Sequence, residues 1–350
     1  MKLVKVGTRL VGENQPCMMA AEVGINHNGD LNLAHRTIDA AADAGADAVK
    51  FQNYHTEDFI SDRSLTYEYK SQGKTVVEAQ WDMFKRCELA PEQLSELRQH
   101  CERRGVIFFS TPSSESGIQD LVDVGAPLLK NGSDYLGHLP MIRAMAQSGL
   151  PTVLSTGMAE AEDIRDAVEA FRDAGGKNLI LLLCTSSYPT PPEDVNLRKM
   201  KTLAQMFDCP VGLSDHTYGT IAAIGSVALG ACMIEKHFTL DRNLAGPDHW
   251  FSSDPAEFRL LVESVRTMEK TLGSDELGPA VCEKIARREY RLSCVAVREL
   301  PSGHRLVASD VAFRRPGSGF PPKQLDSLIA CELARSVPSG HVFEAEDFAE

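Results

Sequence analysis

From Cys17 onward, apolar runs of six to eight residues recur about every thirty residues, each followed by a polar loop and a segment apolar at helical spacing. The runs are CMMAAEVG, ADAVKFQ, GVIFFS, PLLKNGS, PTVLST, NLILLLC, CPVGLS and ACMIEKHF. Runs this short and this continuously apolar predict strands buried on both faces, as in a parallel sheet. The intervening patterns predict helices, for example over Asn32 to Ala44, Pro91 to Arg104, Glu115 to Val124, Ala161 to Ala174 and Pro255 to Leu272. Eight strand-helix units are the number that closes a (β/α)8 TIM barrel. An open doubly wound sheet competes, but no GxGxxG turn follows the first strand. The opening MKLVKVGTRL reads as a short hairpin expected to cap one end of the domain, with Gly12 to Gln15 leading into the first long strand.

After Leu272 the pattern changes. GSDELGPAVCEKIARREY reads as a linker that becomes partly helical, and from Arg291 short strands alternate with turns. Leu300-Pro301-Ser302-Gly303-His304 and Val337-Pro338-Ser339-Gly340-His341 are near copies, each followed by an acidic segment ending at Asp310 or Asp347. A small internally repeated domain is expected. The predicted organisation is a barrel over 1–274, a linker over 275–290 and the small domain over 291–350.

Composition narrows the function. A formal net charge of -13 without any run of lysine or arginine argues against a nucleic-acid surface. No apolar stretch approaches the length of a membrane span, and the N-terminus lacks the apolar core of a secretion signal. Nine scattered cysteines without a CxxC spacing suit a reducing, cytoplasmic setting and suggest neither a disulfide framework nor a cysteine zinc site.

In a parallel barrel the chemistry collects at the carboxyl ends of the strands. The seventh and eighth runs end in His216 and His237, joined by one helix, so the imidazoles emerge side by side from neighbouring strands, each beside a carboxylate, Asp215 or Glu235. One such histidine is ordinary; two in matched positions form a candidate metal site. The other strand ends supply Glu22, Asn26 and His27; Lys50 and Gln52; Ser110 and Thr111; and Lys130 and Ser133. Ser155 and Thr156, Thr185 to Tyr188, Ser214 and Lys236 complete the set. Two lysines within apolar strands require an anion, because a buried ammonium is costly unpaired. Each could pair with a carboxylate such as Glu22, act as a Schiff base, or, with Thr111, Ser133, Ser155 and Ser214, hold a phosphate and a carboxylate. No P-loop occurs. Cys184 reads as a packing residue, and His27, His55 and His249 are weaker ligand candidates than His216 and His237.

With AEVGINHNGD at the first strand end, the chain resembles the bacterial sialic acid synthases. The ordered matches are GADAVKFQ, FFSTP, LSTGM, CTSSYPTPPEDVNL, GLSDHT, ALGACMIEKHFTLD, GPDH and RRPGSG, over nearly the whole length. The resemblance implies a TIM barrel followed by an antifreeze-like (SAF) domain, and condensation of phosphoenolpyruvate with an N-acylated mannosamine-type sugar. The product would be a nonulosonic acid, N-acetylneuraminate first and legionaminic or pseudaminic acid as alternatives. It further implies a divalent metal on His216 and His237, manganese with magnesium or cobalt as alternatives. Phosphoenolpyruvate would lie against Lys50, Thr111, Lys130, Ser133, Ser155 and Ser214, and the sugar against Glu22, Gln52, Tyr188 and Asp248. Arg315 would reach the partner's barrel in a domain-swapped homodimer. Leu183, Ser113, Ser186 and the stretch Asn131 to Tyr135 depart from the family pattern, which bears on the acceptor sugar. Thr66 to Trp81 is expected to cover that sugar. Two rival readings are an amidohydrolase, whose HxH pair on the first strand is absent, and a sugar-binding module without turnover.

Overall fold

The computed structural model describes residues 2–349, which fall into two compact units, 2–273 and 274–349. In the first, eight parallel strands close into a barrel: β1 (Met18–Gly24), β2 (Ala48–Asn53), β3 (Ile107–Pro112), β4 (Leu129–Asn131), β5 (Thr152–Ser155), β6 (Leu179–Cys184), β7 (Val211–Asp215) and β8 (Met233–His237). Each pairs with its sequence neighbours, and β8 closes on β1 with His237 opposite Glu22, itself opposite Lys50. One main helix follows each strand to form the outer layer, beginning with α1 (Leu31–Asp43) and ending with α8 (Pro255–Leu272), with Thr56–Phe59, Gln80–Cys87 and Pro192–Val195 as additional short helices. Asp30 starts α1 by accepting from the amide of Asn32, and Asp254 starts α8 by accepting from those of Ala256 and Glu257. The TIM barrel expected from the spacing of apolar runs is therefore the fold.

The two-residue alternation of the strands divides their side chains between two environments. Met19, Ala21, Val23, Val49, Phe51, Leu181, Leu213 and Ile234 point outward and pack with helical residues such as Ile38, Leu97 and Ile118. Met18, Ala20, Ala48, Phe109, Val153, Ile180, Leu182 and Met233 point inward and fill the lower barrel. Val4, Val6 and Val11 join this inner cluster. They come from the hairpin Leu3–Val6 and Arg9–Gly12, which therefore closes the lower mouth, as its sequence suggests. Gly212 is an inward position of β7 where a Cβ would stand 2.3 Å from the carbonyl oxygen of Met233 and 2.8 Å from Leu182. The interior is too tightly filled there for any side chain.

Two residues further along each inward row the side chains become polar, and this layer is the upper mouth. An antiparallel hairpin between β2 and α2 (Pro91–Arg103), formed by Thr66–Ser71 and Lys74–Ala79, stands beside it. Its residues are mostly exposed, so no apolar face marked it in the sequence.

In the second unit Ser293–Ala296 pairs antiparallel with Val311–Arg314, preceded by a short helix, Lys284–Glu289, within the segment expected to be partly helical. The repeat is real in three dimensions. Leu300 and Val337 exchange two backbone hydrogen bonds of 2.9 Å each. Buried Asp310 takes Arg298 and His304 at 2.7 Å, and Asp347, 37 residues later, takes Arg335 at 2.6 Å and His341 at 2.7 Å. Its apolar core is small, centred on Leu300, Leu306, Leu333, Val337 and Phe343.

Candidate active site

The inward polar layer surrounds a cavity of about 490 Å³. Glu22, Lys50, Gln52, Thr111, Lys130, Ser133, Ser155, Tyr188, Ser214, His216 and His237 all line it, so the strand-end residues singled out in the sequence converge on one place. Asp248 lines an adjoining cavity of about 840 Å³ that shares Gln52, Tyr188 and His237 with the first. Arg315 belongs to the second unit, where its Nε donates to the carbonyl of Tyr290 at 3.1 Å and its guanidinium lies 5.1 Å above that ring.

Four buried charges alternate in sign along one wall. The Lys50 ammonium is 3.1 Å from Glu22 and 3.6 Å from Glu235, and the Lys130 ammonium is 4.0 Å from the other oxygen of Glu235. Lys50 thus has the carboxylate partner that the simpler reading of its burial requires, and it also donates to Thr111 at 3.1 Å. Burial depresses its pKa, but Glu22 and Glu235 outweigh that and the net shift is upward. Lys130 differs. Its hydrogen bonds go to neutral groups, the carbonyl of Asn131 at 2.8 Å and Ser155 Oγ at 2.7 Å, and burial holds its pKa down. Glu235 accepts from Ser214 Oγ at 3.0 Å, and its pKa is lowered because Lys130 and Lys50 overcome desolvation. Glu22 is 1% exposed; burial raises its pKa to about 7 against the pull of Lys50. Oε2 of Glu22, Oε2 of Glu235 and Nδ1 of His237 are buried with no hydrogen-bond partner. Unmet polar atoms facing one cavity mark a place where a ligand supplies the missing contacts.

Opposite the lysines, the rings of His216 and His237 lie 5.5 Å apart. The Thr185 carbonyl accepts from His216 Nδ1 at 2.8 Å, which holds the proton there and leaves the lone pair of Nε2 free. Burial lowers the pKa of His237 well below the usual imidazole value, keeping the ring neutral, the form that binds metal. Among the described residues no cluster of three His, Cys, Asp or Glu side chains is arranged to hold a metal. The pair therefore fits a cation that draws its remaining ligands from substrate and water rather than a closed structural site. The Tyr188 ring stands 4.2 Å from His216 and 5.2 Å from Phe251, walling the passage between the two cavities.

Several strand-end residues belong elsewhere. Lys236 points outward and pairs with Asp215 at 2.7 Å, and Thr156 is tied to the Leu182 carbonyl at 3.1 Å. Asn26 anchors the Phe238 carbonyl at 2.9 Å. His249 bonds Thr239 at 2.7 Å, and His55 lies 3.4 Å from Asp120. Leu183 faces the helical shell and not the cavity. Two side chains carry more than their sequence reading. Cys184, read as packing, lines the cavity with Sγ 3.9 Å from His216 Nδ1. Glu235, noted only as a neighbour of the histidine pair, stands between both lysines. Its position two residues before His237 was the available signal, because that spacing puts the two on one face of the strand.

The NeuB family model matches residues 37–276, and the SAF domain model matches 293–349. An uncharacterized protein of Methanocaldococcus jannaschii is 43% identical, with 94% of each chain covered. The N,N'-diacetyllegionaminic acid synthase of Legionella pneumophila is 38% identical over 93% of each chain. The human N-acetylneuraminate-9-phosphate synthase is 34% identical over 92% of this chain and 89% of its own. Among solved structures, the N-acetylneuraminic acid synthetase of Leptospira borgpetersenii superposes with a TM-score of 0.73 at 35% identity, covering 81% of this chain and 95% of that one. The chain thus belongs to the NeuB family of sialic acid synthases and carries a SAF domain after its barrel.

Proposed function

We propose that the barrel condenses phosphoenolpyruvate with an N-acylated mannosamine-type sugar to form a nonulosonic acid and inorganic phosphate. The observation that carries this reading is the pairing, in one cavity, of an incompletely neutralised buried ammonium at Lys130 with two adjacent imidazoles on the facing strands. Lys50 and Lys130, with Thr111, Ser133, Ser155 and Ser214, hold the phosphate and carboxylate and present C3 of the enol to the sugar aldehyde. A bond forms between C3 and the aldehyde carbon, water adds at C2, and phosphate leaves with the C–O bond. Glu22, beside Gln52 and with a free buried oxygen, binds the sugar and exchanges protons near the developing positive charge at C2. A divalent cation on His216 and His237, manganese with magnesium or cobalt as alternatives, would supply Lewis-acid polarisation of the aldehyde oxygen. Tyr188 and Asp248 take the sugar's far side. The working unit in this reading is a homodimer in which Arg315 of each copy serves the partner's barrel.

N-acetylneuraminate is the first product considered. Legionaminic acid is the second, supported by the 38% identity to the Legionella enzyme. The test is phosphate release from phosphoenolpyruvate with manganese, run with N-acetylmannosamine and with 2,4-diacetamido-trideoxy sugars. Release that depends on one sugar and disappears in His216→Ala and His237→Ala is expected. Tight binding of a sugar with no release, in folded and metal-loaded protein, supports the sugar-binding module instead.

A further inference from the structure

The wall that faces the anions contains an anion of its own. Glu235 is 5% exposed and lines the cavity beside Lys50 and Lys130, on the inward face of β8. Its charge and that of Glu22 formally cancel both ammoniums, and no arginine lines the cavity among the described residues. A phosphate and a carboxylate therefore meet a wall that is already neutral, which weakens the attraction that two lysines alone would exert.

The contacts at the two ammoniums leave such a wall able to bind. An ammonium has three N–H donors. Lys130 gives one to the Asn131 carbonyl at 2.8 Å and one to Ser155 Oγ at 2.7 Å, and Lys50 meets Thr111 and Glu22 at 3.1 Å each. Glu235 takes neither of the remaining donors. Its oxygens stand 3.6 Å from Lys50 and 4.0 Å from Lys130, within ion-pair range and beyond a hydrogen bond. Ser214 keeps it there: it lies directly across from Glu235 in the ladder of β7 and β8, and its Oγ donates to Oε1 at 3.0 Å. Oε2 has no hydrogen-bond partner. The carboxylate thus compensates two buried charges through space and leaves one N–H of each lysine open to a ligand.

We propose that Glu235 is a positioning residue, a built-in counter-ion that holds Lys50 and Lys130 in the empty site and tempers their grip on anions, so that phosphate leaves as readily as it enters. It acts through the lysines and touches no reacting atom. The proposal rests on the synthase reading for the identity of the anions and adds the group that sets their affinity. Binding of inorganic phosphate tests it apart from turnover.

The experiment is calorimetric titration of inorganic phosphate and of phosphoenolpyruvate into the wild-type protein, Glu235→Asp and Glu235→Gln, each with and without manganese. Removing a fixed negative charge from beside an anion should tighten phosphate about tenfold in Glu235→Gln. Glu235→Asp keeps the charge but withdraws it by about one methylene, and should tighten phosphate about twofold to threefold. In turnover by Glu235→Gln, KM for phosphoenolpyruvate should fall, kcat should not rise, and phosphate should inhibit about tenfold more strongly. Phosphate binding that is unchanged or weaker in either folded variant overturns the proposal, and failure of both variants to fold assigns Glu235 to the fold and overturns it too. Binding that tightens without manganese but weakens with it marks a metal ligand and also overturns it. Tighter phosphate in both variants, with no turnover by the wild type on any sugar, upholds the counter-ion and overturns the synthase reading.

Discussion

Lys130→Met separates a lysine kept for structure from one kept for a ligand. The side chain is 2% exposed, its hydrogen bonds go to neutral oxygens, and its nearest carboxylate, Glu235, is 4.0 Å away and shared with Lys50. Methionine preserves most of the volume and removes the charge. Loss of the ion pair forfeits an attraction of about 4 kcal/mol at an effective dielectric of about 20, and removal of a desolvated ammonium returns a penalty of several kcal/mol. Glu235 keeps Lys50 at 3.6 Å and Ser214 at 3.0 Å, so it is not stranded. The net effect on folding should lie within about 2 kcal/mol, a few degrees in Tm, and can be stabilising. For phosphoenolpyruvate nothing offsets the loss. One ammonium missing from an anion at about 4 Å in the same medium is again about 4 kcal/mol, or about 1,000-fold in KM. The paired assay is calorimetric Tm with steady-state KM for phosphoenolpyruvate. A fall in Tm of more than about 10 °C with KM little changed would show that Lys130 serves the fold, and the assignment of this wall to an anionic substrate would fail.

Glu22 titrates near neutrality in the fold, at about 7 against 4.5 in the open chain. The folded barrel therefore holds a proton that the unfolded chain has released, so this contribution to stability is full below pH 4.5 and is lost as pH rises towards 7. Chemical denaturation of the substrate-free protein at several pH values should show that decline, and Glu22→Gln should flatten it. Manganese should raise the Tm of the wild-type protein, and His216→Ala or His237→Ala should abolish that rise, a readout independent of turnover. In the SAF domain, Asp310 and Asp347 titrate below the usual carboxylate range because His and Arg partners and a backbone amide overcome their burial. Their stabilisation is present above about pH 4 and disappears as pH falls through the depressed values. Asp310→Asn and Asp347→Asn should each cost about 1–3 kcal/mol at pH 7 and progressively less as pH falls below about 4, read from the far-UV unfolding of the domain.

How much of this was legible beforehand depended on whether the information is periodic. Eight apolar runs separated by helical patterns specify a barrel because a strand buried on both faces has no polar positions to spare. The same two-residue period places Glu22, Lys50, Lys130, Ser155, Ser214 and His237 on the inward side, and the carboxyl-end rule collects them at one mouth. The repeated Pro-Ser-Gly-His segments announced the internal symmetry of the small domain. The hairpin at 66–79 escaped because its half-buried face mixes Tyr69 and Val76 with Ser71 and Glu78 and so leaves no apolar alternation to detect.

Pairing across the barrel is a different kind of information. Lys50 and Lys130 look alike in sequence, each a lone cation in an apolar strand, yet one has a carboxylate at 3.1 Å and the other none closer than 4.0 Å. Glu235 joins both, at 185 and 105 residues' remove in the chain. Lys236, one position on, faces the opposite way and is spent on Asp215. By itself the sequence determined the period, the fold and the set of polar groups at the mouth. Only the closed barrel decided which charges compensate one another and which remain open to a ligand, because that depends on register between strands far apart in the chain, and a shift of one residue would exchange every inward side chain for an outward one.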